Sequence, residues 1–144
     1  MQPMVSTFEV ARPPREVFAY ATDPVRFPQW QRDVRSVRML DETRFQTSRR
    51  IRGADSPMTL QIIRNDPPFT WAARGIDGPI RPHATVTVQA LDGGRRSRVT
   101  FTLQIHGHGV GVTLAPLVRR QARKVAPTSY RRFKEILERD RVSA

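Results

Sequence analysis

The stretch FEVARPPREVFAYATDPVRFPQW, residues 8–30, combines the end of a strand with two short helices. Apolar and polar residues alternate over Met4–Val10, which predicts a strand. Pro13-Pro14 ends this strand, and a proline fits the first turn of a helix because that turn needs no amide hydrogen. We therefore predict a helix over Pro14–Ala21. Asp23-Pro24 then predicts the start of a second helix, one or two turns long, that carries Trp30.

After this opening the hydrophobic pattern changes to a period of two residues. Turn residues (Asp, Asn, Gly and Pro) separate the alternating segments, and connections this short join antiparallel neighbours. The predicted strands are Val34–Leu40, Arg44–Arg52, Pro57–Arg64, Phe69–Gly75, Ala84–Leu91 and Arg98–Gly107. With the first strand they make a seven-stranded antiparallel sheet.

From about Thr113 to Arg139 the pattern returns to a helical period. The apolar stripe consists of Leu114, Leu117, Val118, Ala122, Val125, Ser129, Phe133 and Ile136. Pro127 interrupts the stripe, removes one backbone hydrogen bond and clashes with the carbonyl of Arg123. We predict one helix with a kink near 123–127, and a single α+β domain over residues 1–144 with the order β-α-α-β6-α.

Composition narrows the function classes. The chain has 144 residues and no cysteine, so disulfides and thiol chemistry are excluded. Its apolar stretches are too short to cross a bilayer, and the N-terminus lacks the pattern of a secretory signal. These features predict a cytoplasmic location, with no cofactor.

The formal net charge of +12 comes from 25 basic residues, nearly all of them arginine. They are scattered from Arg12 to Arg141, whereas a nucleic-acid binder concentrates them in one patch. The densest cluster falls on the predicted helix and is interpreted as a solvated face; it consists of Arg119, Arg120, Arg123, Lys124, Arg131 and Arg132. We expect no specific nucleic-acid partner. A basic module for nucleic acid or an anionic membrane remains the second alternative function.

Four segments, taken in order, resemble the polyketide cyclase/dehydrase and lipid-transport family of the START-like (SRPBCC, helix-grip) superfamily. They are residues 8–30, IIRNDPPFTWAAR (62–74), VQALDGGRRSRVTFTL (88–103) and LAPLVRRQARKVAPTSYRRFKEILE (114–138). The resemblance implies a curved seven-stranded sheet wrapped around the long C-terminal helix, with a cavity that binds a lipid, polyketide or aromatic compound. Members include cyclases and aromatases as well as transport proteins, so it implies no single reaction. Pro127 departs from the family's usual uninterrupted helix.

Strand alternation sorts the residues that face the helix from those that face away. The inward sets are Phe45, Thr47, Arg49 and Ile51; Met58, Leu60 and Ile62; Phe69, Trp71 and Ala73; Ala84, Val86 and Val88; and Val99, Phe101, Leu103 and Ile105. The predicted ligand-binding residues are Phe45, Arg49, Ile51, Leu60, Ile62, Trp71, Val86, Phe101, Leu103, Leu117, Gln121 and Val125. The same residues would suit a solid core, but the family resemblance favours a cavity.

Arg49 is unusual on an inward face. The other inward positions contain no aspartate or glutamate, and the helix offers only Gln121 near its apolar side. A buried guanidinium without a partner is costly. We therefore expect Arg49 to lack a protein counter-ion and to bind an acidic or carbonyl-bearing end of the ligand. The alternative is a surface arginine, because a slip of one residue inverts a strand.

Candidate catalytic groups are few. His106 and His108 have i, i+2 spacing, but there is no third ligand, and the alternation places His83 and His106 on the outer face. No metal site is predicted. The predicted caps and turns contain Asp23, Asp41, Glu42, Asp55, Asp66, Asp77 and Asp92. Carboxylates at such positions usually bond to the local backbone, so no candidate carboxylate pair is predicted inside the cavity. The sequence predicts a small-molecule binding or carrier protein, with a cyclase, aromatase or dehydratase as the alternative, assisted by Arg49, Tyr130 or a histidine.

Overall fold

The computed structural model describes residues 3–51 and 53–143. In chain order the elements are β1 (Met4–Val10), α1 (Pro14–Ala21), a 3-10 turn (Pro24–Arg26), α2 (Phe27–Trp30), β2 (Val34–Met39), β3 (Arg44–Ile51), β4 (Ala54–Asp66), β5 (Thr70–Gly75), β6 (Ile80–Leu91), a second 3-10 turn (Asp92–Gly94), β7 (Arg96–Gly107) and α3 (Gly111–Ser143). The strands form one antiparallel sheet in the order β1-β7-β6-β5-β4-β3-β2. The predicted α+β architecture, with seven strands and a long C-terminal helix, is confirmed.

Two strands begin earlier than predicted. Their predicted starts were placed at or after a proline, but in the structure that proline lies inside the strand. β4 begins at Ala54 and continues through Pro57, and β6 begins at Ile80 and continues through Pro82. Proline cannot donate a hydrogen bond to the sheet, so it usually marks the end of a strand. The neighbouring residues still pair here, with Pro82 opposite Ile105. The predicted end of β3 at Arg52 lies outside the described residues.

One inward assignment fails for a local reason, whereas Ile62 packs against the core as predicted. The register between β4 and β5 shifts between Ile62 and Arg64, so the bulge comes directly after Ile62. Phe69 was predicted to face inward, which is wrong, because its side chain is 53% exposed. It lies in the turn before β5, where its amide donates to the carbonyl of Asp66 at 2.9 Å. Alternation does not apply in a turn.

α3 begins at a tight crossing of two backbone segments. The amide of His108 donates to the carbonyl of Pro79 at 2.8 Å. A Cβ atom at Gly111 would collide with that same carbonyl, and one at Gly107 would collide with the backbone of Gly111. From this crossing α3 runs unbroken through Pro116 and Pro127. The prediction of one helix rather than two is confirmed.

An aromatic cluster holds the C-terminal half of α3 against the sheet. Phe133 is fully buried. Its ring centroid lies 5.0 Å from that of Trp30, 5.4 Å from Phe101, 5.5 Å from Tyr20 and 6.0 Å from Phe8. The ring therefore joins α3 to α1, α2 and two strands in one packed unit.

Hydrogen bonds to main-chain groups reinforce the same half of α3. The hydroxyl of Ser129 accepts from the amide of Arg32 at 3.0 Å, and Glu138 accepts from the amide of Ala11 at 2.9 Å. Lys134 donates to the carbonyl of Glu9 at 2.7 Å. These contacts fix the helix over the ends of β1 and α2, which positions its middle turns over the sheet.

Candidate functional site

A space of about 130 Å³ lies between the sheet and the middle of α3. Small side chains on the helix, Ala122 and Ala126, leave this space unfilled. Most of the lining is apolar and comes from β3 to β7 and from α2. Of the predicted ligand-binding residues, the structure places these around the space: Phe45, Arg49, Leu60, Trp71, Val86, Phe101, Leu103 and Val125.

Leu117 and Ile51 lie away from this space. They line a separate surface groove of about 510 Å³ at the start of α3, and Leu117 is exposed. Leu117 precedes Ala122 by five residues, which rotates its side chain about 140° around the helix from the cavity face. Ile51 is the last residue of β3, beyond the end of the cavity. Helical periodicity alone predicts an apolar stripe that is wider than the face of α3 lining the cavity, and Leu117 lies outside that face.

Gln121 and Ile62 also differ from the predicted position. The side-chain amide of Gln121 donates to the carbonyl of Arg50 at 2.6 Å, which ties α3 to the end of β3. Ile62 packs against the core beside the β4 bulge without lining the cavity. Neither side chain is part of the cavity wall.

Several lining residues that were not among the predicted ligand-binding residues come from α2 and the loop after it. Trp30, Gln31 and Asp33 all line the cavity. Asp33 adds one carboxylate to the cavity wall, although the predicted inward strand positions contain none. The sequence FPQW indicates a short aromatic helix. No local pattern shows that the residues after it lie beside β3, near the β2 edge of the sheet.

Arg49 faces the cavity and has a counter-ion, contrary to expectation. Its guanidinium donates to the carboxylate of Asp33 at 3.1 Å and to the side-chain carbonyl of Gln31 at 2.9 Å. The side chains of Arg49 and Asp33 are only 24% and 13% exposed. Val34 pairs with Arg49 between β2 and β3, so the residues just before β2 are brought beside the guanidinium.

This ion pair predicts a coupled effect on stability. Arg49→Leu should lower the free energy of unfolding by about 1–3 kcal/mol, because Asp33 would remain partly buried without its donor. Arg49→Leu combined with Asp33→Leu should cost less than the sum of the single changes by about 1 kcal/mol. Urea denaturation of the four proteins in this cycle measures the coupling.

The exposed pair between Arg44 and Asp41 serves as the control. Arg44→Leu should change the free energy of unfolding by at most about 1 kcal/mol. Strict additivity at Arg49 and Asp33 would contradict the assignment of a coupled pair.

Three polar groups around the cavity have no hydrogen-bond partner among the described residues. The Trp30 Nε1 and Thr47 Oγ1 atoms are buried and unpaired. The Tyr130 hydroxyl also makes no hydrogen bond to the part of the chain that is described. Burial raises the pKa of Tyr130 to about 12, with Arg49 lowering it and Asp33 raising it by smaller amounts. The hydroxyl therefore keeps its proton at neutral pH and can donate a hydrogen bond.

Such groups are uncommon in native proteins, where most buried polar atoms are paired with protein or water. Trp30 supplies only a donor, whereas Thr47 and Tyr130 each supply a donor and acceptor capacity. All three side chains line the cavity. The cavity thus combines a mostly apolar wall with polar groups that have donor or acceptor capacity to spare.

The histidines lie elsewhere. His83, His106 and His108 line a surface pocket on the outer face of the sheet with Arg74 and Arg81. This position agrees with the outward alternation of His83 and His106. Among residues 3–51 and 53–143, no group of three side chains is arranged to hold a metal ion.

A curved antiparallel sheet of seven strands that grips a long C-terminal helix defines the START-like, helix-grip class. The family model for polyketide cyclase / dehydrase and lipid transport matches residues 1–138. The chain therefore belongs to that family, as its sequence resemblance predicted. A search of curated protein sequences found no match.

Solved structures share the fold at low sequence identity. The Zhui aromatase/cyclase from a Streptomyces species superimposes with a TM-score of 0.79 at 14% identity, over 96% of this chain and 94% of that one. A START superfamily protein from Mycobacterium smegmatis gives a TM-score of 0.77 at 12% identity, over 95% and 97% of the two chains. The di-domain ARO/CYC BexL gives 0.70 at 14%, over 94% and 46%. At these identities the likeness is one of fold alone.

No helix among the described residues is long and apolar enough to cross a membrane.

Proposed function

We propose that this domain binds an apolar small molecule, or a ring-sized part of one, that carries a neutral oxygen atom. The buried, unpaired Trp30 Nε1 and Thr47 Oγ1 atoms and the protonated hydroxyl of Tyr130, set in a mostly apolar wall, support this proposal most directly. A bound carbonyl or hydroxyl oxygen would accept hydrogen bonds from them, while the rest of the ligand would contact aromatic and aliphatic side chains. The role is that of a binding or carrier protein.

The size of the cavity limits the ligand. Its volume is about 130 Å³, whereas drug-sized ligands occupy pockets of about 300–1,000 Å³. An engineered apolar cavity of about 150 Å³ in another protein accepts benzene. A single ring or a short branched chain therefore suits this space. A complete multi-ring polyketide or a sterol would require α3 to move away from the sheet.

The charge of the site favours a neutral polar end over an acidic one. Arg49 is the cation that an acidic ligand would need, and Asp33 already neutralises it at 3.1 Å. A ligand carboxylate would have to displace Asp33 or bind near it, and both are unfavourable. This narrows the expected ligand from an acidic or carbonyl-bearing molecule to a carbonyl- or hydroxyl-bearing one.

Single-ring compounds test the proposal. Phenol should bind more tightly than toluene, which lacks the oxygen, and more tightly than benzoate, which carries a charge. Leu103→Trp should abolish binding because Leu103 is a partly buried wall residue of the cavity. Titration followed by NMR chemical shifts measures the affinities, and mass spectrometry of an extract of the purified protein identifies any ligand carried from the cell.

Leu117→Trp is the matched control, since Leu117 is an exposed leucine that does not line the cavity. It should leave phenol binding unchanged. Equal losses in the two tryptophan variants, or equal affinity for phenol and toluene, would refute the proposed site.

A second candidate is an enzyme of the aromatase/cyclase type. The position of Tyr130, a protonated donor near the Arg49–Asp33 pair, favours it, because such a group could polarise a carbonyl during an internal condensation. Tyr130→Phe separates the two functions. If the protein is an enzyme, the Tyr130→Phe variant should lose turnover of a linear poly-β-ketone substrate while keeping its fold. If it is a carrier, the variant should show only weaker binding.

A further inference from the structure

The start of α3 presents an unusual group of exposed apolar side chains. Val110, Val112, Leu114 and Leu117 are 73%, 65%, 43% and 37% exposed. They are four of the ten exposed large hydrophobic residues in the described chain, and they fall within eight positions of one another. Leu114 and Leu117 lie on one side of the helix, and Val112 lies on the other side of its first turn. Single exposed hydrophobic residues are ordinary, but a group of them around the end of one helix marks an interaction surface. We call these four residues the α3 tip.

The backbone of the α3 tip is already hydrogen-bonded. The amides of Gly111, Val112 and Thr113 donate to the carbonyls of His108, Gly109 and Val110 at 2.9, 3.2 and 3.2 Å. The preceding turn is held to the carbonyl of Pro79 through the His108 amide. Insertion into an apolar phase is costly for unpaired backbone groups. Little of that cost applies here, because these backbone amides already have hydrogen-bond partners within the protein.

Cations follow the α3 tip on the same helix. Arg120, Arg123 and Lys124 are exposed, and among residues 3–51 and 53–139 no carboxylate lies within salt-bridge distance of them. Arg120 and Lys124 lie three and seven residues after Leu117, which places them on the same side of the helix. The rise from Leu117 to Arg120 is about 5 Å. We call these three residues the α3 cations.

The second flank of the α3 tip is also basic. Arg81 donates to the carbonyl of Gly78 at 3.1 Å, and Arg74 lines the same outer pocket. Two carboxylates border the groove beside the tip, but both have partners. Asp77 accepts from the amide of Thr59 at 3.1 Å, and Asp55 lies 3.7 Å from Arg50. Basic side chains therefore lie near the α3 tip on α3 itself and in the outer pocket, while the carboxylates of the groove are already paired.

We infer that the α3 tip docks onto an anionic phospholipid bilayer. Its apolar side chains would reach the acyl boundary, about 5–10 Å below the polar surface, and the α3 cations would lie at the level of the lipid phosphates. An anionic bilayer is the partner whose chemistry matches both halves of the surface. A nucleic acid would satisfy the cations and leave the apolar side chains exposed to water. This inference is independent of the ligand proposed for the cavity.

The test measures partitioning onto vesicles of phosphatidylcholine mixed with phosphatidylglycerol, and onto vesicles of phosphatidylcholine alone. The parent protein should bind the anionic vesicles and only weakly the neutral ones. Val112→Ser with Leu114→Ser should weaken anionic binding about tenfold, because these side chains are 65% and 43% exposed and supply apolar area for insertion. Arg120→Glu with Lys124→Glu should weaken it by more than tenfold, since each cation near an anionic surface strengthens binding about fivefold.

The matched control is Arg15→Glu with Arg95→Glu, which changes the net charge equally. Both residues are exposed. Arg95 lies between β6 and β7, at the opposite end of these strands from the α3 tip, and Arg15 lies on α1. This control should lose no more than about fivefold. Thermal melting by circular dichroism checks that every variant folds.

Equal losses in the two charge variants would overturn the inference in favour of attraction through net charge alone. Unchanged binding of the serine variant would overturn it as well, and binding to a DNA duplex with the same charge dependence would then assign the α3 cations to nucleic acid. Absence of binding to the anionic vesicles would also reject it.

Discussion

Replacing Phe133 with alanine should lower the free energy of unfolding by about 3–5 kcal/mol, the range for deleting a buried aromatic ring. The Phe133 side chain is fully buried and packs against rings from β1, α1, α2 and β7. A loss of this size is a large part of the stability of a typical domain. Chemical denaturation followed by tryptophan fluorescence, with Trp30 as a neighbouring reporter, measures the change.

Phe69→Ala provides the comparison, because it deletes the same ring from a position that is 53% exposed. It should change the free energy of unfolding by about 0.5 kcal/mol. The contrast between the two phenylalanines tests whether α3 is held by the aromatic cluster. Similar losses at both positions would contradict that account and would suggest that Phe69 is buried in solution.

Replacing Gly111 with alanine should cost about 3 kcal/mol or more, although only one methyl group is added. The new Cβ would collide with the carbonyl of Pro79, which is a backbone atom and has no alternative rotamer. Overpacking of a rigid contact typically costs about 1–3 kcal/mol, and occasionally more. The collision can be relieved only by moving the start of α3 away from the turn between β5 and β6. We therefore also expect faster amide hydrogen exchange near His108, whose amide bonds to the same carbonyl.

Val112→Ala, one residue further along, is the control for Gly111→Ala. Val112 is 65% exposed, so its truncation should change the free energy of unfolding by about 0.5 kcal/mol. Wild-type stability in Gly111→Ala would show that the crossing is looser than the structure describes.

These predictions divide α3 into two parts with different roles. The C-terminal half is anchored by the aromatic cluster and by hydrogen bonds from Ser129 and Glu138. The N-terminal half is anchored mainly at Gly111 and through Gln121 and Arg119, which donate to the carbonyls of Arg50 and Ile105. The cavity lies under the junction of the two halves. A larger ligand would enter most easily by displacing the N-terminal half, because fewer buried contacts oppose that movement.

Local sequence determined most of the fold. Period-two alternation over residues 34–107 predicted the strands, and turn residues between them predicted antiparallel neighbours. Helical periodicity predicted α3 as one element, which it is despite Pro127. These signals are local because a side chain's direction in a strand or helix depends on its spacing from its neighbours. For the same reason Phe45, Leu60, Trp71, Val86, Phe101 and Leu103 were placed correctly on the inner face.

The tertiary structure alone decided which polar side chains come together at the cavity. Asp33 reaches Arg49 because β2 pairs with β3, a contact between residues 16 apart in the chain. Trp30 and Tyr130 meet over the cavity from elements about 100 residues apart, with ring centroids 6.3 Å from each other. The bulge in β4 and the rotation of Leu117 away from the cavity likewise depend on how strands and helix pack. Periodicity predicts which way a side chain points on its own strand or helix. The packing of distant segments decides which partner it contacts, and these contacts form the polar part of the cavity wall.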